Sequence, residues 1–358
     1  WTTWKEVLAA KFPDMDVKAL TKLSGGSRFL GQPVDVLADL AADEIIEIIE
    51  GVLRRLSEEE ELTLHMIGHS MGGLIIRGAL PKVLHAIDDH RVQFGHYLSL
   101  STPHLGIQAP LLSDPRHGWR NITSAATFMS QQIAQLTIQD SEAYLAKLSD
   151  PRGPYMLALE KFQERTCASV SSGDPLISNC SGVLDPSLCT GSPPVETASP
   201  TSSSATSGWS RSSANSQELS SWLGSWKLSA KPQQVDGFSA LTPRSSKSVD
   251  SDREDDVSTQ CPESPGDDYE LPLDLSSLTW LDSANGTCRY PREVHEGVCS
   301  VLWMRKEIAI PSDLWTWNAH VYLIGKACEQ WPDEHRASRR KIEELADSIL
   351  HYRGEGEV

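Results

Sequence analysis

The sequence has no long apolar run and an excess of acidic over basic residues. No stretch approaches the roughly 18 consecutive apolar residues of a membrane-spanning helix, so we predict no transmembrane segment. The 32 Lys and Arg residues and 49 Asp and Glu residues give a formal net charge of −17 over 358 residues. That balance argues against a nucleic-acid binder, which needs a basic face for phosphates, and against electrostatic docking on anionic lipid.

Cysteine is sparse and unevenly distributed. There are seven cysteines, and the first of them is Cys167. None stands in a Cys-x-x-Cys pair, so we expect no structural zinc site. The density is too low for a small secreted disulfide scaffold, and no basic segment followed by an apolar one indicates a signal peptide. We therefore expect a cytoplasmic protein.

Composition divides the chain into three parts. Residues 190–275 are rich in Ser, Thr and Pro, and their apolar side chains are too few to offset the entropy of ordering, which predicts a disordered insertion. Within it, residues 245–275 hold ten acidic and two basic residues and thus carry −8 of the net charge of −17. The remainder is only mildly acidic, which weakens the argument against lipid surfaces. Residues 1–189 and 276–358 are predicted to form the two parts of one domain.

Helical and strand patterns alternate outside the insertion. A 3.6-residue apolar period predicts a helix, and short apolar runs next to glycine predict strands. Alternation of this kind is typical of an α/β fold, a mostly parallel sheet with helices on both faces. Helices are predicted at 34–56, 74–87 and 338–352, and strands at 62–67, 94–100, 165–170 and 306–310.

The most informative motif is Gly-His-Ser-Met-Gly-Gly at residues 68–73. It matches the G-x-S-x-G nucleophile elbow, in which a serine stands on a tight strand-to-helix turn with its hydroxyl projecting from the sheet. Glycines at 68 and 72 would let neighbouring backbone pass without side-chain clashes. Because the motif follows a predicted strand and precedes a predicted helix, we interpret Ser70 as a nucleophile. The alternative is a glycine-rich structural turn.

A serine hydroxyl needs a histidine base, and the histidine needs an oriented carboxylate. In chain order the acid should follow a late strand, and Asp174 follows the strand predicted at 165–170. The alternative is that Asp174 is only a turn residue, and Asp185 is a weaker candidate. The base should precede the closing helix, which favours His320 over His335.

Two further histidines receive structural interpretations. His69 precedes the nucleophile and is expected to pack or hydrogen-bond under the elbow. His104 follows the strand predicted at 94–100, where it either lines a pocket or, as we favour, holds a turn.

Two motifs together resemble one family. Residues 67–77, Ile-Gly-His-Ser-Met-Gly-Gly-Leu-Ile-Ile-Arg, and residues 98–106, Leu-Ser-Leu-Ser-Thr-Pro-His-Leu-Gly, resemble the lipase-like serine esterase family of eukaryotic α/β-hydrolases. The resemblance implies an α/β-hydrolase fold, hydrolysis of lipid or lipid-like acyl esters, and a triad at Ser70, Asp174 and His320. Family members carry a strand ending in a His-Gly oxyanion motif, and we expect such N-terminal strands to be missing here.

The sequence therefore predicts a serine hydrolase for acyl esters. The backbone N–H of Met71 is expected to stabilise the oxyanion, since it follows the nucleophile. No metal or organic cofactor is required, peripheral contact with a membrane is left open, and residues 105–154 are the expected lid. The alternatives are an inactive α/β-hydrolase scaffold or binding module, motivated by the absent His-Gly loop, and an acyltransferase or thioesterase with the same triad.

Overall fold

The computed structural model of the chain describes residues 1–23, 31–87, 90–107, 131–174, 176–185, 187, 278–282, 289–311, 316–325 and 332–350. The insertion predicted at 190–275 and part of the predicted lid, including Leu111, Leu112, Phe128 and Met129, lie outside these residues. Of the helices in the described part of the chain, none is long and apolar enough to cross a membrane.

Strands and helices alternate along most of the described chain. The strands are β1 (Leu62–His69), β2 (Val92–Leu100), β3 (Glu164–Val170), β4 (Trp280–Asp282), β5 (Arg289–Pro291) and β6 (Met304–Ile308). The helices are α1 (Thr2–Lys11), α2 (Val34–Leu53), α3 (Met71–Ala86), α4 (Gln131–Leu136), α5 (Tyr144–Ser149), α6 (Pro154–Glu160), α7 (Asn179–Val183), α8 (Arg292–Val298), α9 (Thr316–Val321) and α10 (Pro332–Leu350), and a 3₁₀ turn covers Tyr322–Ile324.

Four strands form one parallel sheet in the order β1-β2-β3-β6. Strand β6 follows the predicted insertion and β3 precedes it, and the two pair through Val170 and Ile308. β4 and β5 form a separate antiparallel pair. Because the four main strands are parallel, their carboxyl ends meet at one edge of the sheet, and loops after different strands converge there.

Helices cover both faces of the sheet, as the alternating pattern predicts. Side chains of successive strand residues point to opposite faces. Tyr97 and Cys167 belong to a core shared with α2, α3, α5 and α6, whereas Leu98 and Ala168 belong to a second core shared with α1 and α10. The architecture is the α/β fold that the sequence predicts.

The boundaries of some elements differ from the sequence prediction. Helix α3 begins at Met71 rather than 74, because it starts directly after the elbow, where two glycines hide its helical pattern. Helix α10 begins at Pro332 rather than 338, with a first turn that is acidic rather than apolar. Strand β6 ends at Ile308 rather than 310, since pairing with β3 involves residues 304 to 308.

The described part of the predicted lid packs into the core. Tyr144, Leu145 and Leu148 of α5 are at most 4% exposed and share a core with α3. Leu105 is 1% exposed. For these residues the prediction of a lid is wrong, because their apolar side chains are buried in the core rather than exposed as a cover.

Candidate active site

Ser70 occupies a strained turn between β1 and α3. Its backbone has φ 54° and ψ −133°, a conformation that non-glycine residues rarely adopt. The Ser70 N–H donates to the carbonyl of Leu100 at 2.8 Å, which ties the turn to the end of β2. Strain of this kind persists only where the surroundings enforce it, and it recurs at functional sites. The turn has the geometry of a nucleophile elbow.

Close contacts, with backbone at Gly68 and with a side chain at Gly73, explain two of the three glycines in the motif. A Cβ on Gly68 would lie 2.6 Å from the Cα and N of Gly73, and a Cβ on Gly73 would lie 2.2 Å from Oγ1 of Thr102. A Cβ on Gly72 would meet nothing within 4 Å. The steric role expected for Gly72 is therefore wrong. The second glycine with a steric role is instead Gly73, because it packs against Gly68 of β1 and Thr102 in the loop after β2.

Asp174 lies in the loop that follows β3, and its side chain is only 2% exposed. Oδ1 accepts hydrogen bonds from the N–H groups of Leu176 at 2.9 Å and Ile177 at 3.0 Å. These contacts fix the carboxylate and leave Oδ2 directed at His320. One oxygen of Asp174 thus makes the turn contacts, while the other faces His320.

His320 lies at the end of the short helix α9 and connects the other two residues. Its Nδ1 lies 2.9 Å from Oδ2 of Asp174, and its Nε2 lies 3.0 Å from Oγ of Ser70. The residue is 8% exposed. A carboxylate only accepts, so Nδ1 carries the hydrogen and Nε2 is left to accept from the serine hydroxyl. Ser70, His320 and Asp174 form one continuous hydrogen-bonded chain.

His69 binds the backbone of the same histidine. Its Nε2 lies 2.7 Å from the carbonyl oxygen of His320, and the two ring centroids are 4.9 Å apart. Burial lowers the pKa of His69 to about 3. His69 therefore hydrogen-bonds beneath the elbow in the way its position in the motif predicts. The sequence does not reveal that its partner is the carbonyl of the candidate base.

The competing residues have other contacts. Asp185 accepts hydrogen bonds from the N–H and hydroxyl of Ser187. His335 lies in α10, half-buried, and shares no described contact with the triad residues. His104 is fully buried, accepts from Arg77 at 3.3 Å and donates to the Ser99 hydroxyl at 2.8 Å, which is a structural role. Burial also lowers the pKa of His104 well below its usual range.

Helix α3 directs its N-terminus at Ser70. Met71 is the first residue of this helix, and the first amides of a helix have no partner within it. Together with the helix dipole, such amides favour negative charge at this point. The expected oxyanion donor, the Met71 N–H, lies in this first turn, directly after Ser70. Among the described residues, no group of three or more His, Cys, Asp or Glu side chains could hold a metal ion.

The parallel sheet with helices on both faces and the serine elbow after β1 define an α/β-hydrolase. The model of the family described as putative serine esterase (DUF676) matches residues 4–181, so this segment is similar to that family. The match includes Ser70 and Asp174 and ends before His320. Comparisons with curated proteins and with solved structures gave no match.

Proposed function

We propose that this protein hydrolyses acyl esters through a Ser70–His320–Asp174 triad. The observation that carries the proposal is the unbroken hydrogen-bonded chain of 3.0 Å and 2.9 Å that joins a strained serine to a buried carboxylate through one imidazole ring. The match of residues 4–181 to a serine esterase family supports the same reaction class.

In the proposed reaction, Ser70 Oγ attacks the ester carbonyl while its proton moves to Nε2 of His320. The negative charge on the carbonyl oxygen is stabilised by the Met71 N–H at the start of α3. The intermediate collapses, and the alcohol leaves with the proton from His320, so that the acyl group remains on Ser70. Water then attacks the acyl carbonyl while His320 takes its proton. The bond from the acyl carbon to Ser70 Oγ breaks, His320 returns the proton to Ser70, and the carboxylic acid is released. Asp174 holds the ring in the required tautomer throughout.

The proposed substrates are lipid or lipid-like esters, as the family resemblance implies. A series of p-nitrophenyl esters from acetyl to palmitoyl tests this class, and kcat/KM rising with acyl length is the expected result. The proposed location is the cytoplasm, with peripheral membrane contact left open, and cell fractionation tests it.

The test of the reaction is labelling by a fluorophosphonate probe together with ester hydrolysis. The wild-type protein should be labelled, and Ser70→Ala should abolish labelling and lower kcat by about 10³-fold or more. Asp185→Asn is the control, because that carboxylate lies outside the hydrogen-bonded chain. If a folded wild-type protein is not labelled, the protein is instead an inactive scaffold. If labelling survives Ser70→Ala, another residue is the reactive nucleophile and the proposed triad is wrong. Product analysis with water and alcohol as competing acceptors separates hydrolysis from acyl transfer.

A further inference from the structure

A side chain next to the nucleophile holds the backbone of the candidate base. The His320 carbonyl oxygen can only accept, so the hydrogen of the 2.7 Å contact must be on Nε2 of His69. This fixes the tautomer of His69. The two imidazole rings also lie in contact, with an interplanar angle of 49°. His69 therefore contacts both the backbone and the ring of His320.

The supporting element and the supported element differ in rigidity. His69 is the last residue of β1, which is paired along its length with β2. His320 belongs to a six-residue helix, a length that is not stable in isolation. Two other side chains hold the next part of this segment, Ser338 at the carbonyl of Tyr322 and Trp4 at the carbonyl of Leu323. His69 is bound to residue 320 itself.

We infer that His69 is a positioning residue whose Nε2–H holds His320 so that its ring stays aligned between Ser70 and Asp174. The inference rests on the proposed function of these three residues. A displacement of about 1 Å in such an arrangement can cost about 10²-fold in rate, so a single hydrogen bond on the base can affect catalysis measurably.

The charge state of His69 is compatible with this role. Because burial keeps its pKa at about 3, the ring is neutral at neutral pH. A neutral ring does not repel the imidazolium that forms when His320 accepts the serine proton. A lysine or arginine at this position could donate the same hydrogen bond, but its positive charge would oppose that step.

The experiment compares substitutions of His69 that keep or remove the donor. His69→Phe keeps a ring and removes the N–H, and we expect kcat to fall about 10- to 100-fold with KM within about twofold. His69→Gln can place its amide nitrogen near the position of Nε2, and we expect it to retain kcat within about threefold of wild type. If the Phe variant does not fold, His69→Met replaces it in the comparison. Met has a shape and length similar to those of Gln but no N–H group, so the Met and Gln variants differ in the hydrogen-bond donor.

A double-substitution cycle separates positioning from general support of the fold. If His69 acts through His320, adding His69→Phe to His320→Ala should leave the residual rate unchanged. An independent structural role would give the same fold-loss in both backgrounds. The control is His85→Phe, because His85 is exposed in the last turn of α3.

The outcomes are distinct from those that test the proposed function. The inference is overturned if the donor-free variants keep kcat within twofold, if His69→Gln is as slow as they are, or if the effects are additive with His320→Ala. In each of those cases the wild-type protein would still be labelled at Ser70. Failure of the proposed function would instead appear as no Ser70-dependent labelling of the wild-type protein.

Discussion

The nucleophile segment and the base segment of the site are built in different ways. Residues 62–73 form a strand, a turn and a helix start that are continuous in sequence, and the Ser70 N–H ties the turn to the neighbouring strand β2. Residues 316–325 form a short helix and a 3₁₀ turn held from outside. Side chains of β1, α10 and α1 donate to the carbonyls of residues 320, 322 and 323. The nucleophile therefore depends on local sequence, and the base depends on distant parts of the chain.

Asp174 binds the base segment from the loop after β3, and its replacement should have the largest effect of the substitutions compared below. Asn at this position can still accept from the N–H groups of Leu176 and Ile177, so the loop should fold. Its amide would donate to Nδ1 of His320 and force the hydrogen onto Nε2, which could then no longer accept the proton of Ser70. We expect kcat for an activated ester to fall about 10³- to 10⁴-fold in Asp174→Asn.

The control for Asp174→Asn is the thermal midpoint, which should stay within a few degrees of that of the wild type. If kcat stayed within about threefold of wild type, Asp174 would be a turn residue only, and the base segment would not depend on its carboxylate.

A substitution at Gly68 should disrupt the nucleophile segment alone. The added Cβ would meet the backbone of Gly73 at 2.6 Å, and backbone cannot rotate away as a side chain can. We expect Gly68→Ala to lower the free energy of unfolding by about 1–3 kcal/mol, the usual range for overpacking, and to slow probe labelling of Ser70. Denaturant unfolding measures the first effect and labelling rate the second.

Gly72→Ala is the matched control, because nothing lies within 4 Å of its added Cβ. Ala is the better helix former, so the free energy of unfolding should rise by up to about 1 kcal/mol. Equal losses of stability in the two variants would contradict the assignment of steric roles within the motif.

The difference between the two segments also explains how much the sequence could predict. The elbow could be predicted because its strand, turn and helix are adjacent in sequence. Asp174 and His320 followed from chain order and from their places after strands. The 2.9 Å contact between Asp174 Oδ2 and His320 Nδ1 could not be predicted from the sequence. It depends on how Trp4, His69 and Ser338, all distant in sequence, hold residues 316–325. No local pattern records such contacts.

Other errors have the same physical origin. The apolar residues at 144–148 have a composition that suits either a lid or a packed helix, and only the neighbouring α3 decides between them. The last residues of the strand predicted at 306–310 have strand-like composition, but the pairing partner β3 ends first. Periodicity therefore predicts the type of element well, whereas tertiary partners determine its ends.

The smallest expected effects on kcat come from the two outer donors to the base segment. Trp4 Nε1–H donates to Leu323 at 2.8 Å, and Ser338 Oγ–H donates to Tyr322 at 2.5 Å. Trp4→Phe removes a donor and part of a side chain that is 1% exposed, so we expect a loss of about 1–3 kcal/mol in the free energy of unfolding. Ser338→Ala should cost only about 1 kcal/mol, because the Tyr322 carbonyl retains the N–H of Gly325.

Both variants should also lower kcat by a few-fold, because they loosen the segment that carries His320 while leaving the elbow intact. Ester hydrolysis and denaturant unfolding measure the two effects, and Trp1→Phe is the control, since Trp1 is 42% exposed. If stability fell while kcat stayed at the wild-type value, the outer contacts would support only the fold. The alignment of His320 would then depend only on its direct contacts with His69, Ser70 and Asp174. In that case the base, like the nucleophile, would be held by its immediate neighbours.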